Sequence, residues 1–248
     1  MLSMNYLILS FAHILGDFYF QCGQLAAEKE SRFLGVVKHS CLYSIAVLLC
    51  ALIVEIRLSV LIVLLAFAVS HFVVDSIKYL VVNHLGKEKK ELVYIIDQIV
   101  HFLNIAVFSH LMVIMDCSLS VCCWVESFLE NYRINFATTI KWVLSLLIIC
   151  KPVNVTIGIL LKRYKDDSSK NNSTDNNHAG RYIGILERVI ILILFYVGQY
   201  ASLGFVLTAK SIARYDTIKK EASFVDYYLL GTLISSLSAI LCRLIILR

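Results

Sequence analysis

The sequence predicts an all-α fold, a polytopic integral membrane bundle of about seven to eight transmembrane helices. Apolar residues make up 59% of the 248, with a mean hydropathy of +0.77, whereas soluble domains hold about 45–50%. Several runs approach or exceed the roughly 18–20 residues that a bilayer crossing needs, among them the stretch that opens with the uncharged LSVLIVLLAFAVS at 58–70. The ten-residue alternating segments of a membrane β-barrel are absent.

The first span is expected at about 3–23. MLSMNYLILSFAHILGDF has no basic n-region and no small-residue cleavage site, so it reads as a retained span rather than a signal peptide. A polar link, AAEKESRF, leads to spans at about 35–54 and 58–82. The charged loop NHLGKEKKE precedes a fourth span at about 92–115, and the connection at 116–135 reads partly as an interfacial helix. A fifth span is expected at 136–161. KRYKDDSSKNNSTDNNHAG is Asn- and Ser-rich and reads as a flexible cytoplasmic loop at 162–180. It divides an N-terminal membrane bundle, 1–161, from C-terminal membrane helices, 181–248. There a tight hairpin breaking near Gly198 is expected, with spans at 182–198 and 200–216. The last span, 224–246, opens on SFVD, where Ser223 and Asp226 fit a capping pattern.

Basic residues orient the chain. Lys29, Arg32, Lys87, Lys89, Lys90, Lys162, Arg163, Lys165, Lys170 and Arg181 fall on one side, against Arg57 and Arg133 on the other. The first side is therefore expected to be cytoplasmic. The hairpin adds Lys210, Arg214, Lys219 and Lys220 to it, giving eight spans with both termini outside; seven spans are the alternative. A net charge of +5 offers no support for a nucleic-acid partner. Membrane lipid is the expected partner, and the oligomeric state, a homo-oligomer included, stays open. No CxxC pair occurs among the eight cysteines, which read mostly as small core residues. A disulfide among Cys117, Cys122 and Cys123 is the lesser alternative.

The candidate site emerges from charge where charge is costly. HILGDFYFQ places His13, Asp17 and Gln21 at i, i+4 and i+8; HFVVDSIK places His71, Asp75 and Lys78 at i, i+4 and i+7; DQIVHFLN places Asp97, His101 and Asn104 likewise. KHSCLY adds His39 and, four on, Tyr43. Each set lies on one helical stripe, and a charge in the bilayer costs at least a few kcal/mol. By the expected topology all four sets sit in the cytoplasmic half at similar depth. Imidazole and carboxylate are ligands of zinc, manganese and iron, and helical bundles build dimetal sites by projecting such groups inward. His13, Asp17, His39, His71, Asp75, Asp97 and His101 are the candidate ligands for one or two divalent ions. Asp97 and Lys78 are the candidate catalytic groups, Lys78 also suiting a phosphate or simply snorkelling. Gln21, Lys38, Tyr43, Gln98 and Asn104 are candidates to orient ligands or bind substrate. Glu187, Arg188, Lys210 and Arg214 form a second polar set, suited to lipid headgroups or a phosphate-bearing ligand. No Arg joins the first set, and three Asp with neutral His would leave about three uncompensated charges, which Lys78 and Lys38 alone would not offset.

These motifs carry a resemblance. HILGDFYFQ, KHSCLY, HFVVDSIK and DQIVH, then GRYIGILER, LTAKSIARY and DYYLLGTLIS, resemble the bacterial integral membrane family called domain of unknown function 3307. The first four cover roughly 11–105. The resemblance implies a bacterial inner-membrane protein and does not supply an activity. A looser likeness to membrane-embedded metal-dependent hydrolases is analogy. The expected function is metal-dependent hydrolysis of a lipid-like or phosphorylated substrate at the cytoplasmic face. One alternative is a metal-ion or proton transporter using the same residues, against which stand the nearly apolar outer halves of the first four spans. The other is a partner or assembly protein with a structural polar core.

Overall fold

The computed structural model describes the backbone of residues 2–85, 90–162, 174–215, 219 and 222–248, and the side chains of these except 85, 90, 174–179 and 222–224. The chain forms two compact units, Met1–Leu144 and Ser145–Arg248. It is helical throughout, apart from one isolated bridge between Val54 and Val121 among the described residues.

In the first unit, Ser3 caps helix α1 (Met4–Ile14), its hydroxyl accepting from the Tyr6 amide at 3.2 Å. The chain then widens into a π-helical turn, Leu15–Tyr19, where the Phe20 amide bonds the Leu15 carbonyl five residues back. Helices α2 (Gly23–Ser31), α3 (Phe33–Ala51), α4 (Leu58–Leu85) and α5 (Lys90–Ile114) follow. Then come the short α6 (Cys123–Asn131) and α7 (Phe136–Cys150), within which the first unit ends at Leu144. α3 packs on α4, α4 on α5, and α1 on both α3 and α5, so four helices close a ring. α4 shows the logic of its sequence. Val60, Leu64, Phe67, His71 and Asp75 form a buried stripe at steps of three and four, while Ile62, Leu65, Val69 and Val73 are exposed. Apolar outside and polar inside is the pattern of a helix facing lipid.

The end of the ring holding the start of α1 is closed by the segment after α5. Asn5 Oδ1 accepts from the Leu119 amide at 2.7 Å, and its Nδ2 donates to the Ser109 carbonyl at 3.4 Å. The Glu55 amide bonds the Ser120 carbonyl, and the Cys122 amide the Ile53 carbonyl. Glu55 itself accepts from Ser120 at 2.8 Å and Arg57 at 3.2 Å, which together hold its carboxyl below the usual glutamate range.

In the second unit, helices α8 (Pro152–Leu160), α9 (Thr174–Val197), α10 (Tyr200–Ala213) and α11 (Ala222–Ile245) are arranged so that α9 packs on α10 and α11, and α11 on α8. α9 and α10 form the expected hairpin. It turns at Gly198, whose φ of +82° is costly for any residue with a Cβ.

Five described helical stretches are long and apolar enough to cross a membrane: Phe33–Ala51, Leu58–His84, Glu91–Ile114, Phe136–Leu160 and Val225–Ile245. Length and composition alone therefore do not reach seven or eight. The expected first span gives way at residues 15–19 to the π-turn. α9 carries Arg181, Glu187 and Arg188 in its apolar half, and the 14-residue α10 is short. The stretch 136–161 breaks at Lys151, because Pro152 lacks the amide that would continue α7. α11 begins one residue before Ser223, which so lies within the first turn rather than capping it. The expected loop at 162–180 lies largely outside the described residues, and α9 already begins at Thr174. All eight cysteines are free, so Cys117, Cys122 and Cys123 form no disulfide.

Candidate metal centre

Inside the first unit, four helices bring seven side chains together. α1 and the π-turn supply His13 and Asp17, α3 supplies His39, α4 supplies His71 and Asp75, and α5 supplies Asp97 and His101. Each of the four His, together with Asp75 and Asp97, is at most 6% exposed, and the Asp17 side chain is 7% exposed. Asp17 Oδ1 accepts from His39 Nε2 at 3.0 Å and His71 Nε2 at 2.9 Å, and Asp17 Oδ2 lies 3.8 Å from His13 Nε2. Asp75 faces two ways. Its Oδ2 lies 3.4 Å from His39 Nε2, and its Oδ1 lies 3.6 Å from His101 Nε2, which is in turn 3.4 Å from Asp97 Oδ1.

Tyr43 holds this set in shape. Its ring stacks on His71 with centroids 3.5 Å apart, and its hydroxyl lies 3.5 Å from His13 Nδ1. A Cβ at residue 16 would sit 2.5 Å from the Tyr43 ring, so Gly16 admits it. His71 also stacks on His101 at 4.4 Å.

Three groups of donors lie close enough together to hold an ion: Asp17, His39 and His71; Asp75, Asp97 and His101; and His13, His71 and His101. The first two share no residue. Ligand bonds near 2.0–2.2 Å place the donors of one ion roughly 3–3.5 Å apart, close to the spacings above. Several buried donor atoms also lack a hydrogen bond, among them His13 Nε2, Asp75 Oδ1, Asp97 Oδ1 and His101 Nε2. Orphaned groups of this kind are expensive in a closed core. The donor set therefore fits a divalent cation in both geometry and chemistry.

Two lysines complete the charge pattern. Lys78 Nζ lies 2.7 Å from Asp97 Oδ2, which also accepts from Gln98 Nε2 at 3.3 Å. Lys29 Nζ lies 2.7 Å from Asp75 Oδ2 with its side chain only 11% exposed. The polar link thought to join two spans is thus α2, folded back onto α3 to deliver Lys29. Gly35 makes that possible, since a Cβ there would stand 2.5–2.6 Å from the backbone of Glu28 and Lys29. Lys38, a candidate from the sequence, instead pairs with Glu28 at 2.7 Å and is half exposed. Among the described residues, two ammonium groups against three carboxylates leave one negative charge with neutral imidazoles, where the sequence alone suggested about three. Asn104 bonds Ser70 at 2.8 Å across α4 and α5, and Gln21 lies half-buried just past the π-turn.

Residues 5–129 match the family described as Protein of unknown function (DUF3307). The chain belongs to this family. The matched segment contains Asn5, every residue of the His/Asp set, Lys29, Lys78, Tyr43 and the whole closure at 115–122. Neither a curated protein nor a solved structure matches the chain. Within the DUF3307 segment, Lys29 is the group that motif reading missed. Glu187, Arg188, Lys210 and Arg214 lie in the second unit, beyond that segment, and form a set of their own.

Proposed function

We propose that the DUF3307 segment holds one or two divalent ions (Zn, Mn or Fe) and hydrolyses a lipid-like or phosphorylated substrate reached from the cytoplasmic side. The observation that carries this reading is the pair of separate donor groups with Asp75 between them, one oxygen toward each. Asp17, His39 and His71 would hold one ion, and Asp75, Asp97 and His101 the other. A bound divalent ion supplies a water whose pKa falls toward about 7. Around it, Lys78 orients Asp97 and offers a cation to a phosphate. His13, with Nε2 unsatisfied beside both groups, is placed to take a proton. The Asn5-centred closure at the outer end supports a site approached from the other end over a permeation path. The basic-residue bias supports a cytoplasmic facing, in a bacterial inner membrane, with lipid as surroundings and substrate source.

The lysine pairs favour a second reading, a metal-free structural network. Hydrolysis of a phosphomonoester lipid by nanodisc-embedded protein, with and without Mn or Zn, tests the proposal. Turnover that needs metal and fails in Asp97→Asn is expected. Metal-independent inactivity in every preparation, over a panel of phosphate and acyl esters, counts against a hydrolase.

A further inference from the structure

The second unit contains a cavity of about 1050 Å³ that the metal centre does not use. It lies among α8, the α9–α10 hairpin and α11, and among the described residues four cations line it against one carboxylate: Arg181, Arg188, Lys210 and Arg214 against Glu187. The carboxylate is taken. Lys210 bonds Glu187 and, at 3.0 Å, the Thr232 hydroxyl. Arg188, only 1% exposed, bonds three neutral oxygens: the Ile149 carbonyl at 2.8 Å, Ser235 at 3.1 Å and Asn154. Arg181, Arg188 and Arg214 are thus in excess, in a setting of otherwise apolar helices. Arg181 and Arg214 are exposed, one at each leg of the hairpin's open end, so positive charge runs from the rim to the deep wall. The space beside Gly158 and Gly180 on the wall is open, since a Cβ on either would meet nothing within 4 Å.

The geometry points to a second binding site, for an anionic phosphate group carried on an apolar body, in the manner of an anionic phospholipid. The charge excess selects the phosphate, because guanidinium groups match its oxygens in a bidentate fork. The volume far exceeds inorganic phosphate, and Ile157, Leu161 and Ile183 on the wall suit an acyl chain. By the basic-residue bias the open end faces the cytoplasmic leaflet, where anionic headgroups attract such clusters. This inference stands apart from the metal reading, and neither depends on the other.

Native mass spectrometry of the full chain in neutral detergent, titrated with phosphatidic acid, phosphatidylcholine or inorganic phosphate, tests it. Phosphatidic acid should bind at least about tenfold tighter than phosphatidylcholine, and the Arg181→Gln/Arg214→Gln double variant should lose about tenfold or more of that affinity. Both arginines are exposed, so the variant should keep its circular dichroism spectrum. Gly158→Leu, which fills the cavity without touching charge, should weaken lipid binding as well. Failure of millimolar phosphate to displace the lipid assigns the site to a headgroup; displacement keeps the phosphate site and assigns it to a soluble ester. Equal binding of the two lipids, or binding indifferent to both variants, overturns the inference.

Discussion

Both units bury charge among apolar helices, and they do it in opposite ways. In the second unit the deepest groups are matched: Glu187 has Lys210, and the three hydrogen bonds of Arg188 end on protein oxygens. At the His/Asp centre of the first unit, three carboxylates face two lysines among the described residues, and several buried ligand atoms are left without hydrogen bonds. Charge of the first kind has its hydrogen bonds made by the protein and acts as structure, even where, as at Arg188, the partners are neutral oxygens. Unsatisfied charge of the second kind is a standing cost unless a further cation joins it.

The contrast can be broken first at its most fully bonded residue. Arg188→Ala strands Asn154 and the Ile149 carbonyl and should cost about 3 kcal/mol or more. Thermal unfolding should show that loss whether or not metal is supplied. Lys29→Met makes the complementary case. With metal present it should cost less than about 1 kcal/mol, because the ion keeps Asp75 compensated. After chelation the cost should rise to about 3, the penalty for a buried charge that has lost its partner. A loss of equal size in both states would mean that Lys29–Asp75 is a permanent structural pair.

Gly35→Val drives a side chain into the backbone of Glu28 and Lys29 and should cost about 1–3 kcal/mol by overpacking. Its use is to separate position from charge, because it should displace α2 and reproduce the chelation sensitivity of Lys29→Met with Lys29 still present. The smallest effect belongs to Glu55, at the end of the ring closed by the segment after α5. Its carboxyl is held low by Ser120 and Arg57, so its stabilising contribution is present above the ordinary glutamate value and fades as pH falls through the lower folded one. Glu55→Gln should therefore lower stability slightly at neutral pH and match wild type in acid; a gap that widens toward low pH would contradict this sign.

What the sequence displayed, and what it concealed, follows from how local each feature is. The His–Asp pairs were visible because one helical turn brings i and i+4 onto one stripe, and three expected spans repeat the pair while a fourth adds His39. Gly198 was visible as the break in an apolar run too long for one helix. Lys29 was hidden because its place depends on a backbone contact across Gly35, which no periodicity encodes; in the sequence it was one more basic residue in a polar link. The lysine that looked equivalent, Lys38, turns to Glu28 instead. The π-turn at Leu15–Tyr19 was hidden because it ends the helix, leaving too few residues after it for the shift in phase to show. Pro152, the lone proline, breaks an otherwise continuous apolar stretch between α7 and α8.

On the proposed reading, metal completes the surplus charge and the unbonded ligand atoms of the first unit. Elemental analysis of the full chain, purified without chelator, beside Asp75→Asn measures this directly. Asp75 stands between both donor groups, so wild type should carry one or two divalent ions per chain, and the variant should lose them while keeping its helical content and expression. Wild-type protein with no stoichiometric metal, and an Asp75→Asn variant indistinguishable from it, would contradict the account and leave a lysine–carboxylate network as the structure's own completion.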